Sequence, residues 1–259
     1  MMRSEFKYKV PLERLSELRA AILPFVAPDK FASKQPGNQY TVRSIYFDTR
    51  NFDMYHTKTD HLAHRLKVRL RGYNIGDEYS NVTCEIKRKY EGPILKNRAS
   101  LQYNMVQAIY NGADLDTILA VTDEQIGLRK FFYQIFSGSL QPVVTVIYER
   151  EAYESVILDK ENGIRLSIDK NLRSVPYPAI EELFVERDIM YAYQGYFILE
   201  VKFNKYCPAW VKPILAEFGL LKGPASKYVM CIDSQPVINT ARRWDSLIRS
   251  GALTKKQKT

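Results

Sequence analysis

The sequence predicts an α+β fold in which strands form a barrel with a polar, basic interior and with helices packed on the outside. One segment carries Arg65, Lys67, Arg69 and Arg71 at every second position, with apolar residues between them. Alternate side chains of a strand point to opposite faces, so four cations share one face and apolar residues share the other. Because this alternation recurs along the chain, several strands would each need helical cover on the apolar side.

Three further segments place a glutamate two positions before a lysine within an alternating pattern. The pairs are Glu5 and Lys7, Glu85 and Lys87, and Glu200 and Lys202. A carboxylate and an ammonium would then lie side by side on one face of each strand. A solvated edge strand explains any one of these segments equally well, but their recurrence favours a shared polar interior.

The remaining elements follow from spacing and from turn residues. Alternation and β-branched or aromatic residues predict the strands, and apolar residues at helical spacing predict the helices. Proline, glycine and aspartate mark the ends of these elements. The predicted strands are residues 4–10, 39–48, 64–71, 82–89, 96–101, 143–151, 153–159, 163–169 and 196–204. The predicted helices are residues 12–22, 104–120, 123–136, 208–218 and 226–232, with a loop before residue 61.

Length and composition indicate one folded domain. The 259 residues are 46% hydrophobic, which suffices for a core, and no linker or internal repeat divides them. We therefore predict a single domain over residues 1–240 and a basic tail over residues 241–259. The three cysteines, Cys84, Cys207 and Cys231, are far apart and indicate neither a disulfide framework nor a zinc site. This pattern favours a reducing compartment, and we expect a cytoplasmic protein.

The charge balance favours anionic partners. Lys and Arg total 38 against 29 Asp and Glu, which gives a net charge of +9. Nucleic acid, a membrane surface and phosphorylated small molecules all fit such a charge. No apolar stretch is long enough for a membrane helix, and the phosphate-loop, dinucleotide, nucleophile-elbow and zinc-helix motifs are missing. Divalent metal binding therefore falls to carboxylates, whose hard oxygens suit Mg²⁺ or Mn²⁺, and the candidates are Glu5, Glu85, Glu200 and Asp169. Each of these carboxylates taken alone also fits a structural ion pair with a lysine.

Nine short motifs in order resemble a known family. They are Arg3 to Tyr8, Ser44 to Thr49, the Arg65 to Arg71 ladder, Glu85 to Lys87, Lys96 with Arg98, Tyr148 with Arg150, Arg165 to Asp169, Leu199 to Lys202, and Ser226 to Tyr228. Their order resembles the VTC domain, the polyphosphate polymerase domain of the vacuolar transporter chaperone family. That domain belongs to the triphosphate tunnel metalloenzyme superfamily.

The resemblance implies an antiparallel β-barrel tunnel in which inward-pointing basic side chains hold a triphosphate and glutamate binds a divalent metal. The phosphate contacts it implies are Lys7, Arg65, Arg69, Arg71, Lys87, Arg98, Arg150, Arg165, Lys202 and Lys227. Among them, Arg69, Arg71, Lys87 and Lys227 are expected to bind the nucleotide. Glu200 is the implied metal ligand, with Glu5 and Glu85 as further candidates. Tunnel triphosphatases typically open with Glu-x-Glu-x-Lys, whereas Arg3 replaces the first glutamate here.

The resulting hypothesis is a metal-dependent polyphosphate polymerase. It would pass the γ-phosphate of ATP or another nucleoside triphosphate to a growing polyphosphate chain, with Mn²⁺ or Mg²⁺ as cofactor. Two alternatives stay open: a triphosphatase or polyphosphatase in the same tunnel, and a non-catalytic module that binds polyphosphate or another polyanion. Nucleic acid is not expected, because the sequence lacks an exposed row of stacking aromatic residues. A separate membrane partner is compatible with all three hypotheses.

Overall fold

The structure is a computed structural model that describes residues 4–91, 94–120, 122–156, 162–240 and 242. Within these residues, ten strands form one antiparallel sheet in the order β1-β10-β8-β7-β3-β4-β5-β6, with β2 beside β7 and β9 beside β8. The strands are β1 (Ser4–Pro11), β2 (Val26–Pro28), β3 (Gln39–Asp48), β4 (Arg65–Tyr73), β5 (Asn81–Lys89), β6 (Ile94–Gln102), β7 (Gln141–Ser155), β8 (Arg165–Pro176), β9 (Met190–Tyr191) and β10 (Tyr196–Phe203). The helices are α1 (Leu15–Ile22), α2 (Asp53–Thr59), α3 (Tyr103–Tyr110), α4 (Leu115–Leu119), α5 (Gln125–Ser137), α6 (Val211–Glu217) and α7 (Lys227–Ser234).

The chain divides into two compact units, each assembled from three chain segments. The first unit comprises Met1–Val42, Ile147–Leu172 and Tyr193–Lys227. The second unit comprises Arg43–Val146, Arg173–Ala192 and Tyr228–Thr259. A single domain over residues 1–240 stays a prediction.

The first unit is built on β1, β10 and β8. Both pairings, β1 with β10 and β10 with β8, are antiparallel. Its core takes the apolar alternate residues of these strands together with residues of α1 and α6, including Leu18, Leu166, Val201 and Ile214. The polar alternate residues of the same strands, among them Glu200, therefore lie on the opposite face.

The second unit is built on the antiparallel strands β4, β5 and β6, and most of its helices pack on their apolar face. Val68, Leu70 and Ile86 are buried there beside Leu128 and Phe131 of α5. Burial of the apolar face also determines which residues lie on the opposite face. A shift of the strand register by one residue would move the cations into the apolar core. The apolar backing thereby orients the charged ladder.

Several predicted boundaries differ from the structure for local reasons. The helix predicted over residues 104–120 is two helices, α3 and α4, separated at Gly112, whose φ of +102° suits glycine. The strands predicted over residues 143–151 and 153–159 form one strand, β7, up to Ser155. The loop predicted before residue 61 contains α2, and Asp48 accepts hydrogen bonds from the backbone at its start.

Some predictions concern residues outside the described ranges. Arg3, residues 157–159 of a predicted strand, and the basic tail apart from Arg242 are among them. No helix among the described residues is both long and apolar enough to cross a membrane. The three cysteines form no disulfide in the part of the chain that the structure describes.

Candidate functional site

The strand register of the second unit gathers basic side chains on the charged face of β4, β5 and β6. Directly opposed residues of neighbouring strands point to the same side, so the register sorts the charged residues into rows. The rows are Arg65 with Lys89, Lys67 with Lys87 and Lys96, Arg69 with Glu85 and Arg98, and Arg71 with Thr83 and Ser100. Eight basic side chains thus share one face with a single carboxylate. We call this surface the cationic face.

Glu85 is the carboxylate that partly neutralises this face. It is only 1% exposed, and Arg69 binds it through Nε and Nη2. Arg98 donates from Nε to the other oxygen of Glu85 at 2.6 Å. Burial alone would raise the pKa of Glu85, but the charges of Arg69, Arg71, Lys87 and Arg98 outweigh it and lower that pKa. Glu85 therefore stays ionised.

Lys87 lies in the middle of the lysine row, between Lys67 and Lys96. The charge of Arg69 is the main reason why the pKa of Lys87 falls to about 6, with burial as the next cause. Glu85 opposes this shift, while Arg71 and Lys96 add to it. The lysine row is thus an electrostatically unfavourable arrangement that an anion would relieve.

A second charged cluster surrounds Glu200 in the first unit. Its side chain is 6% exposed, and Lys202 and Lys227 approach its carboxylate at 2.6 and 2.8 Å. Lys7 lies 3.4 Å away and Arg150 3.7 Å away. Burial would raise the pKa of Glu200, but the charges of Lys227, Lys7, Lys202 and Arg150 hold it well below its usual range.

Asp169 is the second fully buried acid of this cluster. Arg150 donates to both of its carboxylate oxygens, at 2.6 and 2.7 Å, and Lys227 contacts it at 2.5 Å. The ring of Tyr148 faces both cations, with the Arg150 guanidinium 5.2 Å and the Lys227 ammonium 4.8 Å from its centroid. Two acids thereby fix the cations of the first unit.

The structure brings most of the predicted site residues into one of these two clusters. Arg65, Arg69, Arg71, Lys87 and Arg98 lie on the cationic face, and Lys7, Arg150, Lys202 and Lys227 lie around Glu200. Arg165 differs, because its guanidinium pairs with Glu154 and is 54% exposed, although its backbone is opposite Lys202.

Sequence reasoning assigned no role to three residues that the structure places in the clusters. Lys67 and Lys96 complete the lysine row, and Tyr148 faces two cations near Glu200. Asp169, a metal-ligand candidate from the sequence, binds the same two cations. The alternating pattern contained both lysines, but their position opposite Lys87 depends on strand register, which alternation alone leaves undetermined.

The carboxylates differ in how well they suit a divalent cation. No group of three or more His, Cys, Asp or Glu side chains within the described ranges could hold a metal by itself. Glu5 and Glu200 nevertheless approach the same ammonium, that of Lys7, at 3.0 and 3.4 Å, and Glu5 is 38% exposed. They fit a cation that takes its other ligands from phosphate and water. Cations occupy both oxygens of Glu85 and both oxygens of Glu200, so a metal ion would have to displace an arginine or a lysine at either carboxylate.

The fold is shared with a solved structure of low sequence identity. The chain is similar to the structure reported as "Putative adenylyl cyclase HpAC1 from Hippeastrum reveals a dominant triphosphatase activity", with a TM-score of 0.50 and 14% identity, over 93% of this chain and 97% of that one. The protein therefore has the triphosphate tunnel fold. A match in the structure of the Schizosaccharomyces pombe Mediator head module covers 85% of this chain and 92% of that one. Its 12% identity and TM-score of 0.35 are too low to indicate a shared fold.

Within this class of proteins, the family follows from the sequence. The model of the VTC domain matches residues 2–235, which is most of the chain. The chain belongs to the VTC domain family. A search of curated proteins gave no significant match.

The first prediction concerns Lys87 and the pH dependence of stability. Its pKa is about 6 in the folded protein against an ordinary value of 10.5, so the unfolded chain binds more protons between these values. The free energy of unfolding should therefore rise with pH across this window. Lys87→Met should flatten that rise and stabilise the protein most at its acidic end, as measured by urea unfolding at several pH values. Lys130→Met on α5 is the control, and an identical slope for both variants would contradict the argument.

The second prediction concerns Glu200 in metal-free protein. Glu200→Gln leaves four cations without their shared carboxylate, so the free energy of unfolding should fall by about 3 kcal/mol, as for other broken buried ion pairs. Glu5→Gln, at a more exposed position, should cost about 1 kcal/mol or less. Urea unfolding with a chelator present measures both. Equal losses would show that burial of Glu200 does not govern its contribution.

Proposed function

We propose that the protein is a metal-dependent phosphotransferase that passes the γ-phosphate of a nucleoside triphosphate to the end of a polyphosphate chain, with the nucleoside diphosphate leaving. The observation that supports it best is the cationic face, on which eight basic side chains accompany one carboxylate. So large an excess of positive charge is unfavourable unless an anion or water neutralises it. Family membership supports phosphate as that anion.

Phosphoryl transfer makes demands that such a face meets. The protein has little covalent work to do, because catalysis comes mainly from positioning and from neutralising charge on the transferred group. The arginines contribute a planar fork of donors that matches phosphate oxygens and stays charged when crowded. In this proposal Arg69, Arg71, Lys87 and Arg98 contact phosphate on the cationic face.

The length of the cationic face favours a phosphate chain over a lone triphosphate. Successive rows are two residues apart along each strand, which is about 6.6 to 7 Å. The four rows from Arg65 to Arg71 therefore extend over roughly 20 Å. A linear polyphosphate carries charge along its whole length and could contact every row at once. It could also move from row to row while keeping equivalent contacts, as chain growth requires.

The cluster around Glu200 has a separate role in the proposal. Lys7, Arg150, Lys202 and Lys227 would also contact phosphate, and Glu200 with Glu5 would hold Mn²⁺ or Mg²⁺. Such an ion neutralises phosphate charge and stabilises the leaving group. Arg165 would have to leave Glu154 before it could contact the substrate, so we assign it a secondary role.

The alternative function is hydrolysis of a triphosphate or polyphosphate. It uses the same cations with water as the acceptor, and the Hippeastrum protein of similar fold is described as having a dominant triphosphatase activity. A binding module without turnover is the remaining alternative. We expect ATP and inorganic polyphosphate as partners, no nucleic acid, and a cytoplasmic location where ATP is available.

The third prediction is the outcome of a turnover assay. Purified protein incubated with ATP and Mn²⁺ or Mg²⁺ should produce ADP and long-chain polyphosphate, resolved by gel electrophoresis and chromatography. Glu200→Gln should abolish this turnover if Glu200 binds the metal, because an amide is a poorer ligand for a hard cation. Free phosphate as the main product would contradict the polymerase function and support hydrolysis instead. Lack of turnover with every metal and nucleotide would support the binding module.

The fourth prediction tests the cationic face by affinity. Arg69→Ala and Arg71→Ala should each weaken tripolyphosphate binding by roughly 1.5 to 3 kcal/mol, the range for hydrogen bonds to charged groups. Isothermal titration calorimetry measures the change. Arg129→Ala on α5, where the guanidinium pairs with Asp116 at the surface, should leave affinity unchanged. Wild-type affinity in both test variants would remove the cationic face from the proposal.

A further inference from the structure

The polar face of β3 contacts the cationic face through two hydroxyl groups. Within the second unit, Ser44, Tyr46 and Asp48 alternate with the core residues Ile45 and Phe47. The three polar residues therefore share the face opposite to the core. They form a strip, which we call the β3 polar strip, to which the proposed reaction assigns no task.

The strip holds the two buried arginines of the cationic face. Arg69 donates from Nη1 to the hydroxyl of Tyr46 at 2.8 Å, and Arg71 donates from Nε to the hydroxyl of Ser44 at 3.2 Å. Arg69 is also bound by Glu85 through Nε and Nη2. Since a guanidinium is planar and rigid, bonds on two of its edges fix both its plane and its rotation.

Tyr46 is itself held by a second tyrosine of the same unit. The rings of Tyr46 and Tyr228 stack with centroids 4.9 Å apart and planes 20° from parallel. Tyr46 is 6% exposed and Tyr228 is 2% exposed, so neither ring can turn without repacking its neighbours. The stack fixes the direction in which the Tyr46 hydroxyl points.

Asp48 completes the arrangement. Its carboxylate accepts the hydroxyl of Tyr228 at 2.5 Å and the backbone N–H groups of Thr49, Met54 and Tyr55. Asp48 is fully buried, and burial raises its pKa despite these four donors. Burial likewise raises the pKa of Tyr228, so its hydroxyl remains a donor. A series of contacts thus runs from the start of α2 through Asp48, Tyr228 and Tyr46 to Arg69.

We propose that Tyr46 and Tyr228 are positioning residues that set the orientation of the Arg69 guanidinium toward phosphate. This inference rests on the proposed function, in which Arg69 contacts the substrate. Ser44 has the corresponding role for Arg71. If the tyrosines served only as core residues, replacing them with phenylalanine would leave phosphate affinity unchanged, since neither packing nor ring stacking requires the hydroxyl.

A double-mutant cycle tests the proposal through tripolyphosphate affinity. Tyr46→Phe keeps the ring and removes the acceptor, so affinity should fall roughly three- to tenfold. In an Arg69→Lys background, the same change should have no further effect, because lysine offers no planar fork to orient. Tyr228→Phe, which loses only the bond to Asp48, should give a smaller loss in the wild-type background. Calorimetry measures the affinities of the wild type, the three variants of the cycle and Tyr228→Phe, and melting curves report folding.

Tyr103→Phe is the matched control. Tyr103 is a buried tyrosine of the same unit whose hydroxyl donates to the backbone of Ile180 at 2.5 Å, within the helical side of the core. It should melt lower than wild type and bind tripolyphosphate equally well. A similar loss of affinity in Tyr103→Phe would show general loosening of the unit and would overturn the proposal.

The remaining outcomes separate the proposal from the function on which it rests. If Arg69→Lys weakens binding and Tyr46→Phe does not, positioning is excluded while the phosphate contact stands. Equal losses for Tyr46→Phe in both backgrounds exclude it as well. If Arg69→Lys binds like wild type, the phosphate contact and the positioning role fail together. Should Tyr46→Phe not fold, Ser44→Ala with Arg71→Lys provides an equivalent cycle.

Discussion

Repulsion among clustered cations is the constraint on which both units of this protein depend. Each unit keeps its positive charge in place by surrounding a buried carboxylate with cations, Glu85 in one and Glu200 in the other. The carboxylates stay ionised at pH values where ordinary glutamates titrate, since their pKa values are lowered. Too few acids are present on the cationic face to balance it. The cationic face therefore has an excess of positive charge that a bound anion would neutralise.

Burial of the apolar side of each strand stabilises the fold against the repulsion among the cations on the other side. Val68 and Leu70 alternate with the arginines of β4 and are completely buried against helices. Hydrophobic burial on that side stabilises the strand and opposes the electrostatic crowding on the other side. A fold in which both faces were polar would lack this compensation. Helical cover outside the sheet and positive charge on its other face are thus two consequences of one alternating sequence.

The arginines and lysines of the cationic face have different physical roles. Arg69 and Arg71 are buried, bound by carboxylate or hydroxyl groups, and held in fixed orientations by β3. Lys87, by contrast, has a pKa of about 6, so its amine is mostly neutral at neutral pH. A nearby anion would favour its charged form. A phosphate chain would contact the oriented guanidinium groups of Arg69 and Arg71 at one end of the cationic face and the lysine amines in the next row. The arginines thereby supply oriented hydrogen-bond donors, and Lys87 supplies a positive charge that depends on the bound anion.

Much of the fold, and the strand face on which many of the candidate site residues lie, could be predicted from the sequence. Alternation has a fixed period, so it assigned Arg65, Lys67, Arg69 and Arg71 to one face and identified most strands from local pattern. Register is different, because it depends on the turns and the packing of distant segments. Only the tertiary structure placed Lys96 opposite Lys87, paired Arg165 with Glu154 and set the Tyr46 hydroxyl against Arg69. The sequence determined which residues share a face, and the tertiary structure decided which of them touch, because contact across strands is not a local property of the chain.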